Sequence, residues 1–111
     1  MNIDDLTIGE ARQLAALFGT HALPTEHFWE VGKIYLIRTV TMTDTGRVVA
    51  VGEHEIVLED AAWVADTGRF ANAIRKAEFG EVEPFPDGRV LIGRGSVIDA
   101  VQIQVAPRSQ K

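Results

Sequence analysis

With 111 residues, 46% hydrophobic and 24% charged, the chain has the composition of one globular domain built on a single core. It contains no cysteine, which excludes a disulfide framework, a thiolate metal site and cysteine chemistry. Its net charge of −5, from 16 acidic and 11 basic residues, works against long-range attraction to nucleic acid or to an anionic membrane surface.

No apolar run approaches the roughly 20 residues that cross a bilayer, so no membrane partner is expected. Met1-Asn2-Ile3-Asp4-Asp5 is acidic where a secretion leader is basic. The expected setting is therefore cytoplasmic, or associated with a virion or other particle. The whole chain, 1–111, is read as one domain.

Thr7-Ile8-Gly9-Glu10 has capping-box spacing, and Ala11, Leu14, Leu17 and Phe18 form an apolar stripe at helical period before Gly19. This predicts an N-terminal helix within 4–19. At about three turns it is too short to stand alone, so it must dock on the domain core or on a neighbouring subunit. Residues 20–30 have no period and contain Pro24, which marks a connector. His21, Glu26 and His27 match no dedicated metal motif, so no metal or other cofactor is expected. Phe28 and Trp29 are expected to anchor the connector by burying aromatic surface.

The strongest signal lies in 32–63, which reads as three consecutive antiparallel strands. Over 33–43, Ile34, Leu36, Arg38, Val40 and Met42 alternate with Tyr35, Ile37, Thr39, Thr41 and Thr43. Asp44-Thr45-Gly46 then supplies turn chemistry before the apolar run 48–51. A second break at Gly52-Glu53-His54 leads into Glu55-Ile56-Val57-Leu58-Glu59, with Ile56 and Leu58 inward and the glutamates outward.

Beyond the meander, Phe70, Ala73, Ile74 and Ala77 recur at helical spacing, predicting a helix over about 68–78 capped by Asp66 or Thr67. Asp60 and Asp66 are read as turn and cap residues rather than as an acid–base pair. The stretch 81–88, with Pro84, Pro86 and Pro86-Asp87-Gly88, is a turn-rich link. A short strand over 89–93, a break at Arg94-Gly95-Ser96 and a last strand over 97–105 complete five strands. Residues 106–111 form a polar tail, frayed by default. The fold class is thus mainly β with two short helices: a five-stranded small barrel over 32–105, with a helix-containing insertion.

Two segments carry a family resemblance. Residues 46–61, where a glycine opens a strand, a tight turn follows and an apolar strand ends in Glu59-Asp60-Ala61, are similar to the first motif of the Sm-like small-barrel fold, to which Hfq also belongs. Ile92-Gly93-Arg94-Gly95-Ser96-Val97-Ile98 is similar to its second motif. The resemblance implies an oligomeric ring joined by pairing between barrel edge strands, with Arg94 at the position that helps to hold RNA. Glu53-His54-Glu55 stands where the family places its base-holding asparagine. Segments such as Leu58-Glu59-Asp60-Ala61-Ala62-Trp63 and Asp66-Thr67-Gly68-Arg69-Phe70 also resemble small phage-related and bacterial proteins, which implies an origin rather than a chemistry.

Enzyme signatures are missing from the sequence. Gly93-Arg94-Gly95 is too short for a phosphate loop, no G-x-S-x-G elbow occurs, and Ser96 beside Asp99 builds no triad by adjacency. The expected function is a non-enzymatic, self-assembling structural or interaction module, with itself and a phage or particle structural protein as partners, and with Val48, Val49, Val51, Val90 and Ile92 at the subunit interface. The alternative is a ring that binds RNA or single-stranded nucleic acid through Arg94, with Tyr35, Phe28 or Trp29 as stacking surfaces.

Overall fold

The computed structural model describes residues 27–111; the expected helix within 4–19, and His21 and Glu26, lie outside the described residues. The domain is mainly β. Six strands form one antiparallel sheet: β1 (Ile34–Thr39), β2 (Thr43–Val51), β3 (Glu55–Asp66), β4 (Glu81–Pro84), β5 (Val90–Gly93) and β6 (Val97–Ile103). A single helix among the described residues, α1 (Phe70–Lys76), joins β3 to β4, and a short 3₁₀ turn, Arg94–Ser96, joins β5 to β6.

The order across the sheet is β4-β3-β2-β1-β6, and β5 also pairs with β3. The twelve-residue β3 is long enough to hold two partners on its outer edge. Its first residues, Glu55 to Leu58, pair with β5, and its last, Ala62 to Asp66, pair with β4.

The expected closed five-stranded barrel is therefore corrected to an open six-stranded sheet, since among the described residues no ladder joins β5 or β4 to β6. The sheet is nonetheless strongly curled. Gly93 and Val97 are four chain steps apart, a reach of at most about 14 Å, whereas a flat sheet would separate β5 from β6 by four interstrand spacings, roughly 19 Å.

The curl has local causes in Gly46 and three of the bulges. A Cβ at Gly46 would lie 2.9 Å from Leu58 Cδ1 and 3.3 Å from the Ala61 Cβ, so β3 crosses β2 at a distance only glycine permits. Opposite it, Asp60 and Ala61 share one pairing position, with Asp60 at φ 51°. Val49 is an extra residue on β2, and Ile98 is an extra residue on β6.

Gly46 thus sits inside a strand, not in the expected turn. The reversal falls at 40–42, where the Thr39 N–H and hydroxyl both donate to the Met42 carbonyl. The sequence contains neither glycine nor proline there. The link expected over 81–88 contributes β4, because Pro84 lies at the end of that short strand.

Each face of the sheet carries its own core. On one, Tyr35, Ile37, Val48, Ile56, Leu58 and Ile92 pack together; on the other, Leu36, Ala62, Val64, Phe79, Val82 and Ile103 are covered by Ala73 of α1. Ile56 and Leu58 point inward as the alternation predicts, with Glu55 exposed and Glu59 half-buried. Helix α1 is shorter than the expected 68–78 and takes no side-chain cap. Asp66 instead holds the preceding turn, its Oδ1 accepting the Gly68 N–H at 2.8 Å.

The tail is also not frayed. Lys111 and Val82 exchange both backbone hydrogen bonds, at 2.9 and 3.0 Å, and Arg108 donates to the carbonyls of Ala61 and Phe85.

Candidate functional site

The residues singled out by the sequence divide between the sheet interior, its edges and one end. Tyr35 is interior. Its ring is buried edge-on against Trp29 with centroids 4.9 Å apart, and its hydroxyl accepts from the Glu30 N–H at 2.9 Å and from Gln102 Nε2 at 3.2 Å. A ring packed and hydrogen-bonded in this way offers no free face for a base, so its role as a stacking surface is corrected to that of a core residue. Of the two connector aromatics, Trp29 packs against this core, while Phe28 is 99% exposed and anchors nothing.

Among the expected interface residues, Val48 is buried in β2 between Leu58 of β3 and the backbone of Gly32 and Lys33. Val49 is the bulged residue, and Val51 pairs with Ile56 of β3 beyond the end of β1. Val90 and Ile92 do lie on an edge strand, β5, but Ile92 is buried and Val90 packs half-buried against the same core. What β5 presents outward is its backbone edge and Leu91, 61% exposed.

Sequence reasoning missed the most open strand. β6 pairs on one side with β1, and among the described residues nothing pairs with its other edge. Six of its seven residues, 97–102, are exposed or half-buried, and only Ile103 is buried. Ile98 is 66% exposed and Val101 stands open beside it. The signal was present in the sequence, in the apolar residues that fall on both faces of this strand, but alternation alone reads such a strand as interior. Near its middle, Asp99 forms an ion pair with Arg38 of β1, whose guanidinium also lies 5.2 Å over the ring of Phe70. The mutual hydrogen bond raises the Arg38 pKa and lowers that of Asp99.

At one end of the sheet the two motif segments meet. The Arg94 N–H donates to the His54 carbonyl at 2.9 Å, and its guanidinium donates to the carbonyls of Gly52 at 2.8 Å and Glu53 at 3.3 Å. Arg94 thereby ties the 3₁₀ turn to the β2–β3 turn. It also lines an open cleft of about 340 Å³ with His27, Phe28, Trp29 and Ala100. Phe28 supplies an uncovered ring there, and the Nδ1 of His27 is buried with no hydrogen-bond partner among the described residues.

The fork where β4 and β5 leave β3 is the most charged region. Arg47 pairs with Asp60 at 2.6 Å and with Glu59 at 3.1 Å, and Arg89 also reaches Glu59. The carboxylates here are matched by guanidinium groups, which makes the fork a structural tie across the bulge.

Among the described residues no group of three or more histidine or acidic side chains is arranged to hold a metal ion, and no helix is long and apolar enough to cross a membrane. Comparison of the chain with family models, with curated proteins and with solved structures finds no match.

Proposed function

We propose that the protein is a non-enzymatic assembly module whose copies join edge to edge, the outer edge of β6 in one copy pairing with the outer edge of β5 in the next. The observation that carries this reading is β6, a seven-residue strand whose outer edge is unpaired among the described residues and which presents Ile98 and Val101 to solvent. An open apolar edge of this length is an association template unless something covers it. Two different edges meeting head to tail make a heterologous contact, which closes into a ring if the rotation permits. The Sm-like resemblance of residues 46–61 and 92–98 supports the same arrangement, and the phage-like wording adds a virion or particle as its setting.

Light scattering coupled to size-exclusion chromatography tests this, with absorbance at 260 and 280 nm recorded on protein purified without nuclease. A closed oligomer free of nucleic acid is the expected result. A monodisperse monomer at high concentration overturns it.

A second reading rests on the cleft beside Arg94, where a cation and the uncovered ring of Phe28 stand together. That pairing suits a nucleotide, with phosphate toward the guanidinium and base against the ring. An oligomer that carries nucleic acid through moderate salt, and loses it on Arg94→Ala with assembly unchanged, would place this reading first. Because Arg94 ties two turns together, the assembly reading expects Arg94→Ala to disturb assembly or local packing instead.

A further inference from the structure

The outer edge of β4 is a seat for an extended segment, and the chain's own tail shows what fits it. Lys111 pairs with Val82 through two reciprocal backbone hydrogen bonds, the pattern of an antiparallel strand added to a sheet edge. Three residues earlier, the Arg108 guanidinium spans the fork of the sheet, Nη1 donating to the Ala61 carbonyl at 3.0 Å and Nη2 to the Phe85 carbonyl at 3.1 Å. Charge is complementary too, with exposed Glu81 and Glu83 on the seat and Arg108 and Lys111 on the tail.

The attachment is thin. An open cleft of about 440 Å³ runs along the tail, lined also by Phe79 and Val82, and residues 108–111 are themselves exposed. The segment leading to it, from Gln104 to Pro107, is exposed or half-buried. A segment held by backbone pairing and one guanidinium, on an uncovered lead, makes the same contacts whether it comes from its own chain or from another.

We propose that the seat on β4 accepts residues 108–111 of a second copy, so that neighbouring copies are linked by exchanged tails as well as by the edges of β5 and β6. This rests on the self-association reading for its setting, because an exchanged tail competes with the chain's own only when the neighbouring seat is held close.

The test uses the full chain, which has no cysteine of its own. The register set by Val82 and Lys111 puts Glu83 opposite Gln110, so a chain with Gln110→Cys is mixed with a differently tagged chain carrying Glu83→Cys and oxidised. The expected result is a disulfide-linked heterodimer in several-fold excess over either homodimer, reduced several-fold when the Gln110→Cys chain also carries Arg108→Ala. The double variant Glu83→Cys/Gln110→Cys in one chain is expected to form an intrachain disulfide, which confirms that the seat is populated. Light scattering on the same wild-type preparation separates the two ideas. An assembled protein that gives no heterodimer excess overturns tail exchange and leaves edge pairing standing, whereas a monomer overturns edge pairing. A heterodimer excess unaffected by Arg108→Ala overturns the seat as defined here.

Discussion

β1 and β6 are adjacent antiparallel strands of similar length and apolar content, and their burial is opposite. In β1, Tyr35, Leu36 and Ile37 are consecutive and all buried, because one core lies on each face of the sheet and β2 and β6 flank both edges. In β6 only Ile103 is buried, since among the described residues it pairs on one side alone and residues 98–102 are exposed, with Val97 packing half-buried against one core. The difference teaches that strand formation and strand burial are separate events. The first is local, and the second depends on what arrives from elsewhere in the chain.

The comparison is broken most sharply by truncation. Ile37→Ala, at a fully buried site, should lower unfolding free energy by about 3 kcal/mol, read from denaturant midpoints at unchanged slope. A cost below about 1 kcal/mol would mean that β1 is not the covered strand.

Burial on the β1 side also traps polar groups on β2. The Thr45 hydroxyl is fully buried with no hydrogen-bond partner among the described residues, so Thr45→Val, which keeps the shape and removes the orphan, should raise stability by about 1 kcal/mol. A destabilised variant would show that the hydroxyl has a partner in solution.

Asp44 sharpens the same point with pH. It pairs across the sheet with Ile37 and Trp63, and burial raises its pKa above the ordinary carboxylate range. The unfolded chain therefore ionises first as pH rises. The stability that protonated Asp44 permits is present at acid pH and lost as pH climbs through the raised value. Asp44→Asn is expected to melt a few degrees higher than the parent at pH 7, with the gap closing in the acid range. A gap that is constant with pH would assign the effect to something other than charge.

The smallest effect on the fold is expected in β6. Ile98→Ala should change monomer stability by less than about 0.5 kcal/mol, while shifting the oligomer toward smaller species in light scattering. Loss of stability as large as that of Ile37→Ala would mean that β6 is covered in the free chain.

Much of the sheet was legible. The alternation of 33–39 and 55–59 and the helical spacing of Phe70, Ala73 and Ile74 each describe a property of neighbouring residues, and each element forms. Asp44-Thr45-Gly46 misled because turn chemistry and a close strand crossing both select glycine, and only the position of Leu58 tells them apart. Glu81–Pro84 misled because a proline at a strand end looks like a proline in a loop. Of the candidate residues, Arg94 was visible as a motif cation, and Phe28 as an aromatic, but the cleft that they share joins segments more than sixty positions apart.

By itself the sequence determined a β-rich domain without cysteine, with Ile56 and Leu58 inward, a short helix after the meander and an acidic surface. Tertiary structure alone decided that the curled sheet stays open, that Tyr35 is interior while β6 is not, and that the tail sits on β4. The physical reason is range. Alternation and capping are settled within a few residues, whereas Tyr35 meets Gln102 across 67 positions and Lys111 meets Val82 only after the whole sheet has formed.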